Sequence, residues 1–235
     1  MQLADNFPEE SNPTFTWQDI VDWAKTHYRD RIFAKDEQIP ARSQLIYLVN
    51  QGAVRLISQA QSNGEKVEIS ADDSELDFLE ESFLGFIGAG KPFEVVSQAA
   101  FNINAYAHVD DTHVIWLYWQ DLENWPGFRQ QLYEVFRYQH QRKLLWLSAL
   151  GQRKTIDRLT SFLMLLIEEY GEERETECCL PYTLTHAQIG SAIGSTRVTV
   201  TRLMGKLRRQ GVLQVQNDNS ICINKLKLTQ INQDR

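Results

Sequence analysis

The sequence predicts an α+β chain in three parts: a jelly-roll-like β-roll over residues 1–125, a long helix over 126–151 and a winged helix-turn-helix over 152–235. Three observations carry this reading. Short runs enriched in β-branched and aromatic residues, punctuated by Asn50-Gln51-Gly52, Ser62-Asn63-Gly64 and Asp110-Asp111, are the pattern of a small antiparallel roll. Pro126, favoured in a first helical turn, opens a helical stretch that Gly151 ends. The run TLTHAQIGSAIGSTRVTVTRLMGKLRRQGV, residues 183–212, sets two helical segments on either side of Gly194.

Taken in order, residues 16–29 carry Trp17, Ile20, Val21, Ala24 and Tyr28 at helical spacing, which predicts an N-terminal helix. Strands are expected at 44–49, 53–58, 66–70, 103–109 and 113–119. Residues 68–81 hold seven carboxylates and no Lys or Arg, the composition of a solvated loop. Leu84, Gly85, Phe86 and Ile87, with Phe93, form an apolar set that reads either as core or as the floor of a degenerate effector pocket. In the second case Tyr138 and Arg142 of the long helix complete it.

The long helix has an uneven pattern. Phe128, Leu132, Val135 and Phe136 precede a polar middle, residues 137–143, and Leu144, Leu145, Trp146, Leu147 and Leu150 follow it. A homodimer seam through Phe128, Leu132, Val135, Phe136, Trp146 and Leu150 is one use of such a helix; packing inside a monomer is the other, because the heptad match is imperfect.

In the last part, Thr185 and Gln188 have capping-box spacing, and Gly194 suits the left-handed corner between two helices. Ser195 is the expected cap of a second helix beginning at Thr196. Ile189, Ile193, Val200 and Leu203 fall on the inner faces, where Gly190 lets the backbones approach. Arg197, Val198, Thr201 and Arg202 then face outward, and the N-terminal half of such a helix enters the DNA major groove. Arginine reads guanine there and valine touches a thymine methyl. Phosphate contacts are expected from Thr185, His186, Ser195, Thr196, Thr199 and Lys206, with Arg208 and Arg209 beyond.

Charge agrees with that division of labour. The chain has a net charge of −7, yet residues 1–152 hold 12 Lys and Arg against 22 Asp and Glu, whereas residues 184–235 hold 8 against 2. Since screening confines such effects to about 8 Å at physiological salt, a basic end binds phosphate despite an acidic whole. At 235 residues and 43% hydrophobic the composition suits two modest cores. No apolar run approaches a membrane span, and Asp5, Glu9 and Glu10 replace a basic signal start. A cytoplasmic protein with no membrane partner is expected. Five histidines, at 27, 108, 113, 140 and 186, lack ligand spacing, so no metal is assigned. Of three cysteines, the adjacent Cys178 and Cys179 make neither a disulfide framework nor a zinc pattern; they read as space-filling near a loop or as a vicinal redox pair. No cofactor is predicted, and nucleophile elbows, phosphate-cradling glycine loops and zinc-protease motifs are lacking, which excludes the common enzyme classes.

The runs IGSTRVTVTR, residues 193–202, and RLTSFLMLLIEEYG, residues 158–171, resemble the cyclic-AMP receptor protein and Fnr superfamily, and within it the cyanobacterial nitrogen-control regulators. The resemblance covers residues 152–213 and fades over the first 125. It implies a cyclic-nucleotide-binding-like β-roll, a dimerisation helix and a winged-helix DNA-binding domain, with Arg197 and Arg202 contacting bases. The receptor protein has glutamate where this chain has Val198, which implies a half-site nearer the GTA type of the nitrogen-control relatives. Phe83-Leu84-Gly85-Phe86 resembles the start of the phosphate-binding cassette, but Phe86 stands where cyclic-nucleotide binders place a glutamate. The cassette arginine is missing, since no arginine occurs between Arg55 and Arg129, and Lys91 cannot reproduce its bidentate clamp. Nitrogen-control relatives hold 2-oxoglutarate with an arginine and a glutamate on the long helix; an ungapped register puts Tyr138 and Lys143 there.

The function expected is therefore a transcription regulator acting as a homodimer on a pseudo-palindromic operator, without cyclic-AMP control. Double-stranded DNA and a second copy of the chain are its expected partners, RNA polymerase a further candidate, and the effector is left unassigned. The alternative is an interaction protein that forms heterodimers with a ligand-competent relative and binds DNA weakly alone.

Overall fold

The computed structural model describes residues 16–40, 42, 44–60, 81–95, 97–98, 101–174 and 177–224. Helix α1 (Trp17–Thr26) begins at a capping box. The Thr16 hydroxyl accepts from the Asp19 N–H and the Asp19 carboxylate accepts from the Thr16 N–H. Nine strands follow: β1 (Asp30–Phe33), β2 (Gln38–Ile39), β3 (Leu45–Gln51), β4 (Ala53–Ala60), β5 (Glu81–Gly88), β6 (Pro92–Phe93), β7 (Ser97–Gln98), β8 (Phe101–Ala107) and β9 (Thr112–Tyr118). Four of the five expected strands are present with ends shifted by one or two residues; the fifth, at 66–70, lies outside the described residues, with most of the acidic stretch. The order is β1-β9-β3-β6 in one sheet and β2-β8-β4-β5, with β7 on β8, in the other.

Strand β3 explains why this half needs two cores. Its alternate side chains Leu45, Tyr47 and Val49 join Val54, Leu56, Ala105 and Ala107 of the second sheet. Ile46 and Leu48 point the other way, to Ile20, Val21 and Ala24 of α1 and to Leu122. A strand buried on both faces has no polar alternation, which matches the continuous LIYLV run. Gly52 closes the β3–β4 turn at φ +80°, where a Cβ would lie 2.7 Å from the Thr112 hydroxyl.

Helix α2 (Pro126–Leu150) has the predicted length. By contacts the chain divides into two units, one ending at His140 and the other beginning at Gln141, so α2 contributes to both. In the first unit, Phe128 and Leu132 sit in the α1 core, with Phe136 packed against it. Among the described residues no helix is long and apolar enough to cross a membrane.

The second unit contains α3 (Thr155–Tyr170), β10 (Glu172–Arg174), β11 (Glu177–Cys179), α4 (His186–Ile193), α5 (Arg197–Arg209), β12 (Leu213–Val215) and β13 (Ile221–Asn224). The strands form one antiparallel sheet, β10-β11-β13-β12, whose β12–β13 hairpin is the wing. The expectation for the cysteines is corrected here. Cys178 and Cys179 lie in β11, and Cys179 forms a disulfide with Cys222, directly opposite on β13. Sequence adjacency pointed to the wrong partner because neighbouring residues of a strand face opposite sides, whereas register brings Cys179 and Cys222 together.

Candidate nucleic-acid interface

Helix α4 is capped as its sequence predicts. The Thr185 hydroxyl accepts from the Gln188 N–H at 3.1 Å, and Gln188 Oε1 accepts from the Thr185 N–H at 2.9 Å. Gly194 ends the helix in the left-handed region, φ 61° and ψ 54°. Gly190 brings the two helices together: a Cβ there would meet the Ser195 carbonyl at 2.7 Å, with the Arg197 nitrogen at 3.4 Å. Helix α5 starts one residue later than expected. Its cap is Thr196, whose hydroxyl accepts from the Thr199 N–H at 3.2 Å, and the expected cap Ser195 belongs to the turn. Two adjacent hydroxyl residues offer the same chemistry; Thr196 has the extended backbone of a cap, φ −78° and ψ 154°.

Val200, Leu203, Met204 and Leu207 are buried on the inner face of α5, and Ile189 and Ile193 of α4 are likewise buried. Arg197, Val198, Thr201, Arg202, Lys206, Arg208 and Arg209 are all exposed. Val198 is 63% exposed, which is unusual for a β-branched residue on a helix packed this tightly. Thr196 and Thr185 are exposed, and Ser195, Thr199 and His186 are partly so.

Thr201 differs from its neighbours. Its hydroxyl lies 2.9 Å from the Arg197 carbonyl and 2.8 Å from His186 Nδ1, so it is engaged by two groups of the protein itself. Burial, and secondarily the Arg197 charge, lower the His186 pKa from its ordinary value. Beside this pair a cleft of about 360 Å³ is lined by residues of the loop before α4, of α5 and of the wing.

Sequence reading passed over Arg158. Its guanidinium donates to the carbonyl of Ile193 at 3.0 Å and of Gln152 at 3.1 Å, and to the Thr155 hydroxyl at 3.2 Å. It thereby caps the C-terminal end of α4 and fixes the corner from behind. An arginine in a first turn gives no sequence signal for that role, because its partners are main-chain carbonyls. The wing turn is built locally: Asp218 accepts from the Ser220 hydroxyl at 2.6 Å and N–H at 2.9 Å, bonds that hold its carboxyl below the usual range.

Buried scaffold residues thus present an exposed, basic N-terminal helix half beside a short wing. Residues 157–228 match the family model of the Crp-like helix-turn-helix domain. The chain is 35% identical over 86 residues to the global nitrogen regulator of Synechococcus elongatus, covering 37% of this chain and 39% of that protein. The match therefore spans well under half of that relative's length. Among solved structures, a cyclic nucleotide-binding domain containing protein from Listeria monocytogenes superposes with a TM-score of 0.67 at 14% identity, over 88% of this chain and 97% of that one. A mutant of CooA from Carboxydothermus hydrogenoformans gives 0.63 at 19% identity, over 86% and 87%. The fold is therefore Crp/Fnr-like from the β-roll to the wing.

The expected effector-pocket residues are dispersed. Phe86 is buried against Phe83 and His108, with ring centroids 4.9 and 4.6 Å away. Ile87 belongs to the β-roll core, Leu84 is exposed on the other side of β5, and Gly85 has φ 123° at the bulge. Tyr138 lies under the Lys91 ammonium, 6.0 Å from ring centroid to Nζ. Arg142 instead turns to α3, where it contacts Glu168, Glu169 and the Leu165 carbonyl. The expected dimer residues also divide. Leu132 is fully buried within its own chain and Trp146 packs on Phe162 at 5.0 Å, while Val135 and Leu150 are partly exposed.

Proposed function

We propose that this chain is a cytoplasmic transcription regulator, not an enzyme, that binds double-stranded DNA sequence-specifically as a homodimer and is not governed by cyclic AMP. The observation that carries the reading is the exposed first half of α5, where Arg197, Val198 and Arg202 stand clear of the protein on a helix fixed from behind. A helix so presented enters the major groove, and a two-fold dimer sets its partner about 34 Å away in the next one. Arg197 and Arg202 then pair with guanine and Val198 meets a thymine methyl. Thr185, Ser195, Thr196, Thr199 and Lys206 border the phosphates, and RNA polymerase is the partner on which a bound regulator acts.

Freedom from cyclic AMP rests on chemistry. Phe86 offers no carboxylate to a ribose hydroxyl. Arg55, the arginine preceding the gap that runs to Arg129, is paired with Asp36 and stacked on Tyr106. A cyclic phosphate left without a bidentate cation loses more hydration than it regains.

The test is selection of binding sites from random DNA with the purified chain, followed by titration of the selected site. Arg197→Ala is expected to weaken it by about 1–3 kcal/mol per half-site, and cyclic AMP to leave the titration unchanged. Unchanged affinity in Arg197→Ala would remove the proposed readout. Failure of the purified chain to select any site would leave the heterodimer reading.

A further inference from the structure

The proposal concerns the pair His186 and Thr201 and rests on the groove-docked reading of α5. The Thr201 hydroxyl has one hydrogen and two partners, the Arg197 carbonyl at 2.9 Å and His186 Nδ1 at 2.8 Å. A neutral imidazole with its proton on Nδ1 satisfies both bonds but leaves Nε2 a bare acceptor. With the proton on Nε2, the ring offers an outward donor but draws the threonine hydrogen from the Arg197 carbonyl. The imidazolium alone keeps both internal bonds and also presents an outward N–H. It is the form that fits an anion.

Place adds to this argument. His186 is the first residue of α4, the helix that crosses the DNA backbone in a docked helix-turn-helix, and it reaches the exposed face of α5. It is also the sole histidine of the second unit, since His27, His108, His113 and His140 fall in the first. The cleft beside it is lined by Thr183 and Leu184 of the preceding loop, Met204 of α5, and Val215, Asn219 and Ile221 of the wing, none of them titratable. Arg197, from α5, is the charged group whose field reaches it.

We infer that His186 is a proton-linked phosphate clamp: DNA binding takes up a proton at this imidazole, which grips the backbone through Nε2 and positions the recognition helix through Thr201. In the free chain, burial and then Arg197 hold the ring below its ordinary pKa, and an adjacent phosphate raises it. The affinity gain is therefore complete below the free-state pKa and is lost as pH rises through the DNA-bound one.

The experiment is fluorescence anisotropy of the full chain on its selected site from pH 5.5 to 8 at fixed salt, with the imidazole of His186 followed by NMR in free and bound protein. Each unit by which binding raises the pKa strengthens binding about tenfold per half-site at low pH. The wild type is expected to bind at least tenfold more tightly at pH 5.5 than at pH 8. His186→Gln, which can donate a hydrogen bond but not titrate, is expected to lose most of that slope, and Thr201→Val part of it. Specific binding that is independent of pH, or a slope retained in His186→Gln, overturns the inference and leaves the DNA reading standing. An imidazole pKa that is the same free and bound overturns it even where a variant is poorly folded. Absence of specific binding at every pH overturns both.

Discussion

Gly190 and Arg158 show how single residues set the geometry of the recognition helix from behind. A Cβ at Gly190 points at the Ser195 carbonyl 2.7 Å away, a backbone atom that cannot swing aside. Gly190→Val is therefore expected to force α5 from α4, at about 1–3 kcal/mol for overpacking, and to abolish operator binding even where the domain still folds. Circular dichroism melting with anisotropy on the same samples checks both. Arg158→Met keeps the aliphatic stem but removes the donors to the Ile193 and Gln152 carbonyls. About 1.5–3 kcal/mol of domain stability should go with them, and unchanged melting would exclude the capping role. Lys206→Ala, by contrast, is expected to leave stability intact, weaken all DNA sequences alike and lower the salt slope by about one unit. Of these residues, Gly190 was legible in the sequence because its spacing from Gly194 and Val200 is local. Arg158 was not, since the α4 carbonyl it caps, that of Ile193, lies 35 residues on.

At the scale of elements, legibility follows the length of the repeat. Helices α1, α2, α4 and α5 extend over two or more turns and carry caps or stops, so their positions could be read. Strands β1, β2, β6 and β7 have two to four residues, too few to show a period of two, and only the sheet to which they add reveals them. The wing cystine belongs to the same class of hidden feature. It joins β11 to β13 across 43 residues and so encloses α4, α5 and β12 in one loop. In the chain-entropy account, closing a loop of that length stabilises the domain by about 4 kcal/mol. Replacing Cys179 and Cys222 together by Ser is accordingly expected to lower the melting temperature of the second unit by at least ~10 °C, and a dithiol reductant should do the same to the wild type alone. A wild-type melting curve indifferent to the reductant, with free-thiol titration confirming reduction, would show that the sheet holds its register without the bond.

For the whole molecule, the charge division between an acidic first half and a basic last segment suits the proposed DNA binding, since a duplex repels the first and attracts the second. The proposed homodimer requires two such helices held at a fixed spacing, and α2 carries an exposed stripe that suits this. Tyr133, Arg137, His140, Leu144 and Leu147 recur at alternating steps of four and three, and all are exposed. Leu144 and Leu147 are 51% and 64% exposed, unlike Leu132, which is fully buried within its own chain. We propose that the seam draws on apolar residues the monomer leaves uncovered, Leu144 and Leu147 among them. Trp146→Ala, facing Phe162, is thus expected to lower the stability of the second unit. The pair Leu144→Glu and Leu147→Glu is expected to dissociate the dimer with little change in melting temperature. Losing more than about 3 kcal/mol of apolar contact across the two-fold raises the dissociation constant over a hundredfold, a change that sedimentation velocity resolves at micromolar protein. The monomer should retain only weak, single half-site binding, since the second α5 is no longer delivered to the next groove. If the double variant sediments as a dimer and footprints the full operator, the seam lies elsewhere on the molecule.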